Sequence, residues 1–486
     1  MTTTSSPRPA FPIRAYLAGE WRNTPRTYTV TNPATVQPLA DVADCGAAEA
    51  RIAADAAVAA FPAWRNTPGQ ERGGILRRWN DLMLARTDDL ARTMTLEMGK
   101  PIVESRGEVR YAASFVEYYA EAARRIGGEV IPAPFPHKRF LVRHEPVGPA
   151  YGITPWNFPA AMVTRKAAPA LAAGCTFILK PAEQSPLTAL LLAELWEQAG
   201  GPPGTLQVLP ALDPVPVSEV LLDDPRIRKL TFTGSTEVGR MLYAKAARTL
   251  KRVSLELGGN APFLIFADAD IDAAAKEVAS SKFRNSGQTC ICTNRILVDE
   301  AVRGPFTEAF TALTAKLKVG DPLAEETQIG PLVDAPGLAK VRTFVEDAVA
   351  RGARVEVGGQ GRGGLFYSPT VLSGVRPGMR VLEEETFGPV APIAPFADET
   401  EAVALANATP YGLAAYLWTR DLSRAMRVAE ALEYGIVGIN DGLPTAMAPQ
   451  APFGGMKDSG VGREGGRWGL EEYLEVKLIS IGLATP

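Results

Sequence analysis

The chain has 486 residues, 46% of them hydrophobic and 22% charged, with a formal net charge of −3. That length exceeds what one hydrophobic core organises, so two or three domains are expected. The balanced charge gives no footing for a nucleic-acid partner or an interaction tail, and the apolar run between Lys166 and Lys180 falls short of the about 20 residues that span a bilayer.

In chain order, the opening MTTTSSPRPAFPIRA lacks the apolar core of a secretory signal and reads as a frayed tail. Alanine-rich helical patterning runs through 46–125, and YAASFVEYYAEAARR (111–125) spaces its apolar residues near the helical period. Gly127 and Gly128 break the helix. Residues 129–146 carry four prolines and both histidines of the chain, and read as a hairpin-like excursion. Short apolar runs then occur at 147–153, 175–180, 205–209, 228–233 and 251–256, with helical patterns at 160–173, 186–199 and 236–247 between several of them. Alternation of this kind implies a parallel sheet with helices on its faces. A second alternation runs from near 262 to about 440, followed by a glycine-rich stretch at 452–466 and a strand-like run at 472–484.

Cys45, Cys175, Cys290 and Cys292 are too few for a disulfide framework in so long a chain, and they fit a reducing, cytoplasmic setting. The Cys290-x-Cys292 spacing is tighter than the usual zinc pair, so no metal is expected. A Cys-His or Ser-His hydrolase would have to recruit His137 or His144, the only two histidines. A carboxylate base is the better expectation.

The fingerprint Gly460-Val-Gly462-Arg-Glu-Gly465 follows no strand of a βαβ unit and is set aside. In LTFTGSTEVG (230–239) an apolar run ends at Gly234-Ser235 and opens a helix, whose first N–H groups can hold a pyrophosphate. Most such turns bind nothing. The strand CTFILK ends in Lys180-Pro181-Ala182-Glu183, where parallel sheets bind ligands, although a surface ion pair is the plainer reading. SLELGGN (254–260) places Glu256 at the end of an apolar run, ahead of Leu257 and two glycines. A buried carboxylate paired to lysine is the alternative there. FRNSGQTCICTNR (283–295) sets Cys290 after a glycine-containing turn in polar company, unlike a packed core cysteine. ITPWNFP puts Asn157 between Trp156 and Phe158.

Together PWNFP, KPAE, FTGS, LELGGN, GQTC, EETFGP and PFGG resemble the aldehyde dehydrogenase superfamily, in family order, from about Tyr16 to Leu483. ITPWNFPAAMVTRKAAPALAAGC, SKFRNSGQTCICTNR and RVAEALEYGIVGIN are similar to succinate-semialdehyde dehydrogenases. The resemblance implies an α/β fold with a Rossmann-type cofactor domain (1–125 and 146–256), an α/β catalytic domain (257–455) and a small β oligomerisation part (126–145 and 467–486). It implies NAD(P)-dependent oxidation of a small-molecule aldehyde to a carboxylate through a Cys290 thioester, in a homodimer or homotetramer. Succinate semialdehyde is the expected substrate; glutarate or 2-oxoglutarate semialdehyde and a neutral aldehyde are the alternatives.

The resemblance also assigns roles. Cys290 attacks as a thiolate. Asn157 and the Cys290 N–H hold the oxyanion. Glu256 is the base for hydrolysis. Lys180 and Glu183 match the adenosine-ribose contacts, Gly234 and Ser235 the pyrophosphate turn, and Glu385 the nicotinamide ribose. Trp156, Pro181, Ala182 and Leu257 belong to the same cofactor-binding segments. Glu183 would repel a 2′-phosphate, so NAD is expected to be preferred and NADP to remain usable. Arg165 and Arg284 match arginines that grip a substrate carboxylate. The loop 439–455 is longer than that group's usual form and lacks its serine, for which Thr445 stands in. Some relatives with the Cys-x-Cys pattern close a reversible disulfide, which makes Cys292 a redox partner for Cys290. A non-enzymatic protein on this fold would be expected to have lost Cys290, Glu256 or Asn157, and a CoA-acylating enzyme the glutamate.

Overall fold

The computed structural model describes residues 11–484. The expected frayed tail falls largely on residues 1–10, outside the described residues, and the chain has entered a strand by Ala15–Leu17. Four helices follow an N-terminal hairpin: α1 (Ala47–Asn66), α2 (Gly69–Ala85), α3 (Thr87–Met98) and α4 (Ile102–Ala122). Ala50, Ala53, Ala54 and Ala57 supply the buried stripe of α1, the spacing that puts side chains on one helical face. Helix α3 ends at Gly99, whose φ of 83° closes it in the left-handed conformation. Pro101 then precedes α4, a longer helix than the 111–125 segment suggests.

The first sheet has the strand order Glu20–Arg22, Ala15–Leu17, Leu206–Val208, Phe177–Lys180, Ala150–Ile153, Lys229–Thr233, Arg252–Glu256, Gly460–Val461. Its five central strands are parallel. Helices α5 (Ala161–Ala173), α6 (Pro186–Gln198), α7 (Pro214–Asp223) and α8 (Thr236–Ala247) connect them. From Ala150–Ile153 the chain steps outward twice, then returns to the other side of that strand with Lys229–Thr233. Such a reversal opens a crevice at the carboxyl ends of the strands. The fingerprint at Gly460 forms an antiparallel edge against Leu255 and Glu256, so it is no phosphate turn.

A second sheet of seven strands spans Ala261–Ile265 to Ile436–Ile439 and is parallel apart from its edge strand Arg354–Val357. Helix α9 (Ile271–Phe283) lies between its first two strands in sequence. The excursion forms strands Gly128–Ile131 and Lys138–Pro146, and the terminal run Leu474–Gly482 pairs along the whole of the latter. Sequence patterning had not marked the hairpin Thr27–Asn32 with Gln37–Ala43. No helix among the described residues is long and apolar enough to cross a membrane.

Three indoles lock α1 and α2 to α6, a connecting helix of the first sheet. Trp196 of α6 meets Trp79 edge-on at 5.4 Å and Trp64 at 6.2 Å. Trp79 is fully buried and donates its indole N–H to the Leu192 carbonyl at 3.0 Å. Trp79→Ala is expected to cost about 3–5 kcal/mol of stability, read as a lower urea midpoint; an unchanged midpoint would refute the packing role.

Candidate active site

Cys290 follows α9 through a tight left-handed turn. Asn285, Ser286 and Gly287 take φ values of 51°, 57° and 75°. Non-glycine residues there cost on the order of 1–2 kcal/mol each, so the turn needs external support. The Asn285 N–H donates to Glu104 Oε2 at 2.8 Å, and Asn285 Nδ2 donates to the Asn157 carbonyl at 3.1 Å. Ser286 Oγ bonds both the N–H and the carbonyl of Gly330. Gln288 Oε1 accepts from the Val333 N–H at 3.0 Å. The Cys290 backbone is further fenced by Gly259, where a Cβ would stand 2.5 Å from the Cys290 carbonyl oxygen.

Half-buried Cys290 lies where two cavities meet. One, of about 250 Å³, is lined by Phe158, Met162, Arg165, Arg284, Thr445 and Phe453. The other, of about 280 Å³, is lined by Trp156, Asn157, Gly234, Ser235, Leu257 and Glu385. It continues past Trp156, Gly234 and Ser235 into a third, of about 290 Å³, lined by Lys180, Ala182, Glu183 and the start of α8. Pro181 is not among the lining residues. Ser235 caps α8 by accepting from the Val238 N–H. The continuous groove thus passes a helix N-terminus, suited to a pyrophosphate, between carboxylates suited to ribose hydroxyls. This donor set fits a dinucleotide.

Asn157 donates one Nδ2 hydrogen to the Gln288 carbonyl at 3.0 Å, and its Oδ1 is buried without a partner. Glu385 Oε1 accepts from the Gly259 N–H at 3.1 Å, and burial pushes its carboxyl up to about 7. Glu256 is buried, with Oε2 unpartnered. The lysine of the alternative reading belongs to another group. Lys166 binds Glu464 and the Thr233 hydroxyl, and Arg165 binds the second Glu464 oxygen. Burial, then the adjacent Glu464 charge, hold the Glu256 carboxyl well above the usual carboxylate range, while Arg165 and Lys166 pull the other way. A Cβ at Gly454 would come within 2.8 Å of Glu256 Oε1, so the PFGG glycine leaves room for that carboxyl. Burial raises the Cys290 thiol to about 12.

The two arginines differ. Arg284 makes no ion pair among the described residues and packs over the Phe158 ring at 4.9 Å. Arg165 lines the same cavity, but its charge is already met by Glu464, and it stacks on Phe453 at 4.0 Å. Buried Thr445 joins them on the loop 439–455. Cys292 is buried, its sulfur 3.4 Å from the Gly287 carbonyl and 3.9 Å from Lys282 Nζ. His144 bonds the Gly127 carbonyl in the three-stranded sheet, and His137 stacks on Phe135; neither lines these cavities. Sequence reading missed Glu464, Lys166, Lys100, Glu104, Glu108 and Lys340. Glu464 sits inside the discarded glycine fingerprint, and Lys166 is the neighbour of a residue that was chosen.

The aldehyde dehydrogenase family profile matches residues 21–479. The glutarate-semialdehyde dehydrogenase of Pseudomonas putida is 52% identical over 475 residues, covering 97% of this chain and 98% of its own. The succinate-semialdehyde dehydrogenase [NADP(+)] of Escherichia coli is 52% identical over 477 residues, covering 97% and 98%. The crystal structure of an aldehyde dehydrogenase from Brucella melitensis superposes with a TM-score of 0.96 at 49% identity, covering all of both chains. The chain belongs to the aldehyde dehydrogenase family.

Proposed function

We propose that the protein oxidises an ω-carboxylated semialdehyde, succinate semialdehyde foremost, to the dicarboxylate with NAD(P). The observation that carries this reading is the unpaired Arg284 guanidinium in the same cavity as Cys290. A guanidinium with no ion-pair partner favours an anionic ligand that can fork onto it. Similarity to the glutarate-semialdehyde enzyme keeps the five-carbon homologue as the competing substrate.

Bound along the groove from Glu183 to Glu385, NAD(P) supplies the acceptor for the hydride that the oxidation removes. Cys290 gives up its thiol proton to water and its Sγ adds as the thiolate to the aldehyde carbon. The free Asn157 Nδ2 hydrogen and the Cys290 N–H stabilise the charge that builds on oxygen. The acyl group is left as a thioester on Cys290. Glu256 takes a proton from the water that hydrolyses it. We further assign Glu183, ion-paired to Lys180 at 3.1 Å, to the adenosine ribose, where its charge opposes a 2′-phosphate and favours NAD.

Cys290→Ala should abolish NADH formation, whereas Glu256→Gln should leave a stoichiometric burst ahead of slow turnover. Because burial favours the neutral form of Glu256 and the residue acts only when ionised, kcat should rise as pH climbs above the usual carboxylate range. A flat profile, or steady turnover by Cys290→Ala, would overturn the mechanism. For the substrate, Arg284→Ala should cost on the order of 2–5 kcal/mol in kcat/KM with succinate semialdehyde and far less with butyraldehyde. Equal losses would make Arg284 structural. Glu183→Ser should move preference toward NADP; a wild type already faster with NADP contradicts the assignment.

A further inference from the structure

Helix α4 carries Glu104 and Glu108 one turn apart, a spacing that aligns side chains on one helical face, and both line the Cys290 cavity. Each holds a different catalytic segment. Glu104 Oε2 accepts from the Asn285 N–H at 2.8 Å, which anchors the left-handed turn leading to Cys290. Glu108 Oε1 accepts from the N–H groups of Ala160 and Ala161 at 3.0 and 3.2 Å, at the start of α5. Its second oxygen binds Lys100. Lys100 Nζ in turn donates to the Asn157 carbonyl at 2.8 Å and stands 3.8 Å over the Phe158 ring. The same Asn157 carbonyl accepts from Asn285 Nδ2, so the two segments meet at one oxygen.

Lys100 and Glu108 are both fully buried. Burying an ion pair is expensive, and an apolar pair of equal volume would often serve stability as well. Charged bonds are shorter and stronger than neutral ones, so this pair fixes the 157–161 backbone more tightly than apolar packing would. The Asn157 amide and the Cys290 N–H, assigned above to the oxyanion, thus hang from the same short stretch of chain, Lys100 to Glu108.

We infer that Lys100, Glu104 and Glu108 are positioning residues that set the separation and aim of the two oxyanion donors. The inference rests on the mechanism proposed above. None of the three touches the reacting atoms; they act through Asn157 and the Asn285–Cys290 turn.

Glu108→Gln keeps an acceptor for the helix N–H groups but breaks the charged bond to Lys100. Misplacement of a catalytic group by about 1 Å costs about 100-fold, so kcat should fall by about 10- to 100-fold. Cofactor dissociation constants and the rate of Cys290 alkylation should stay near wild type, which a general loss of structure would not allow. The decisive measurement is a double-mutant cycle with Asn157→Ala. If the pair acts through Asn157, adding Glu108→Gln to Asn157→Ala should change kcat by less than about twofold. Losses that multiply overturn the inference, as does a Glu108→Gln enzyme with wild-type kcat. Lys100→Met runs the same cycle should Glu108→Gln not fold. Full turnover by Asn157→Ala alone would instead refute the underlying mechanism, so the two failures are distinguishable.

Discussion

A carboxylate buried without a counter-charge is the constraint around which this site is arranged. Glu256 sits at the end of a sheet strand and the nearby cations are engaged by Glu464. An isolated ionised carboxyl in such surroundings takes up a proton instead of keeping its charge. Were Lys166 to turn to Glu256, that carboxylate would be held as an anion of low basicity. Glu464 prevents that by holding Lys166 and Arg165 together. It also lends its own charge to the upward push on Glu256. The Glu256 carboxyl is thereby kept a weaker acid than a free carboxylic acid.

The sheet topology explains why so many separate segments converge there. Ile153, Lys180, Thr233 and Glu256 all end parallel strands of one sheet. Their following turns carry Asn157, Glu183, Ser235 and Leu257. The strand reversal leaves the crevice between them open. The second sheet contributes the opposite wall, with Cys290 on the loop before its strand Thr293–Asp299 and Glu385 on the loop before Val390–Phe396. Arg284, at the end of α9, faces across from α4.

Much of this was legible in the sequence, for a physical reason. The parallel strands are short runs rich in apolar residues and closed by glycine, proline or a charged residue, so the runs ending at Ile153, Lys180, Thr233 and Glu256 stand out. Residues that meet a ligand directly lie in the turns just after them, and motifs capture such turns. What sequence did not show are groups whose importance comes from pairing across the fold. Glu464 reaches Arg165 over 299 positions, and Glu108 reaches Ala160 over 52. Neither spacing has a local signature. The strand Thr27–Asn32 alternates buried and exposed residues and was missed although its pattern was visible. Arg165 shows the reverse problem: it matched a substrate-binding position, yet its charge is committed to Glu464.

The pairing of Glu464 with Arg165 and Lys166 has a consequence for how the protein is made. A ribosome releases the first sheet's parallel strands long before residue 464 emerges. Until then the nascent chain holds two unpaired cations beside Glu256, and the edge strand Gly460–Val461 that closes the sheet does not yet exist. Contacts of such long sequence separation form late in folding. The cysteine turn can be complete while these two cations still lack Glu464. Activity therefore arrives with the last segments of the polypeptide, and a half-synthesised chain cannot carry out the reaction.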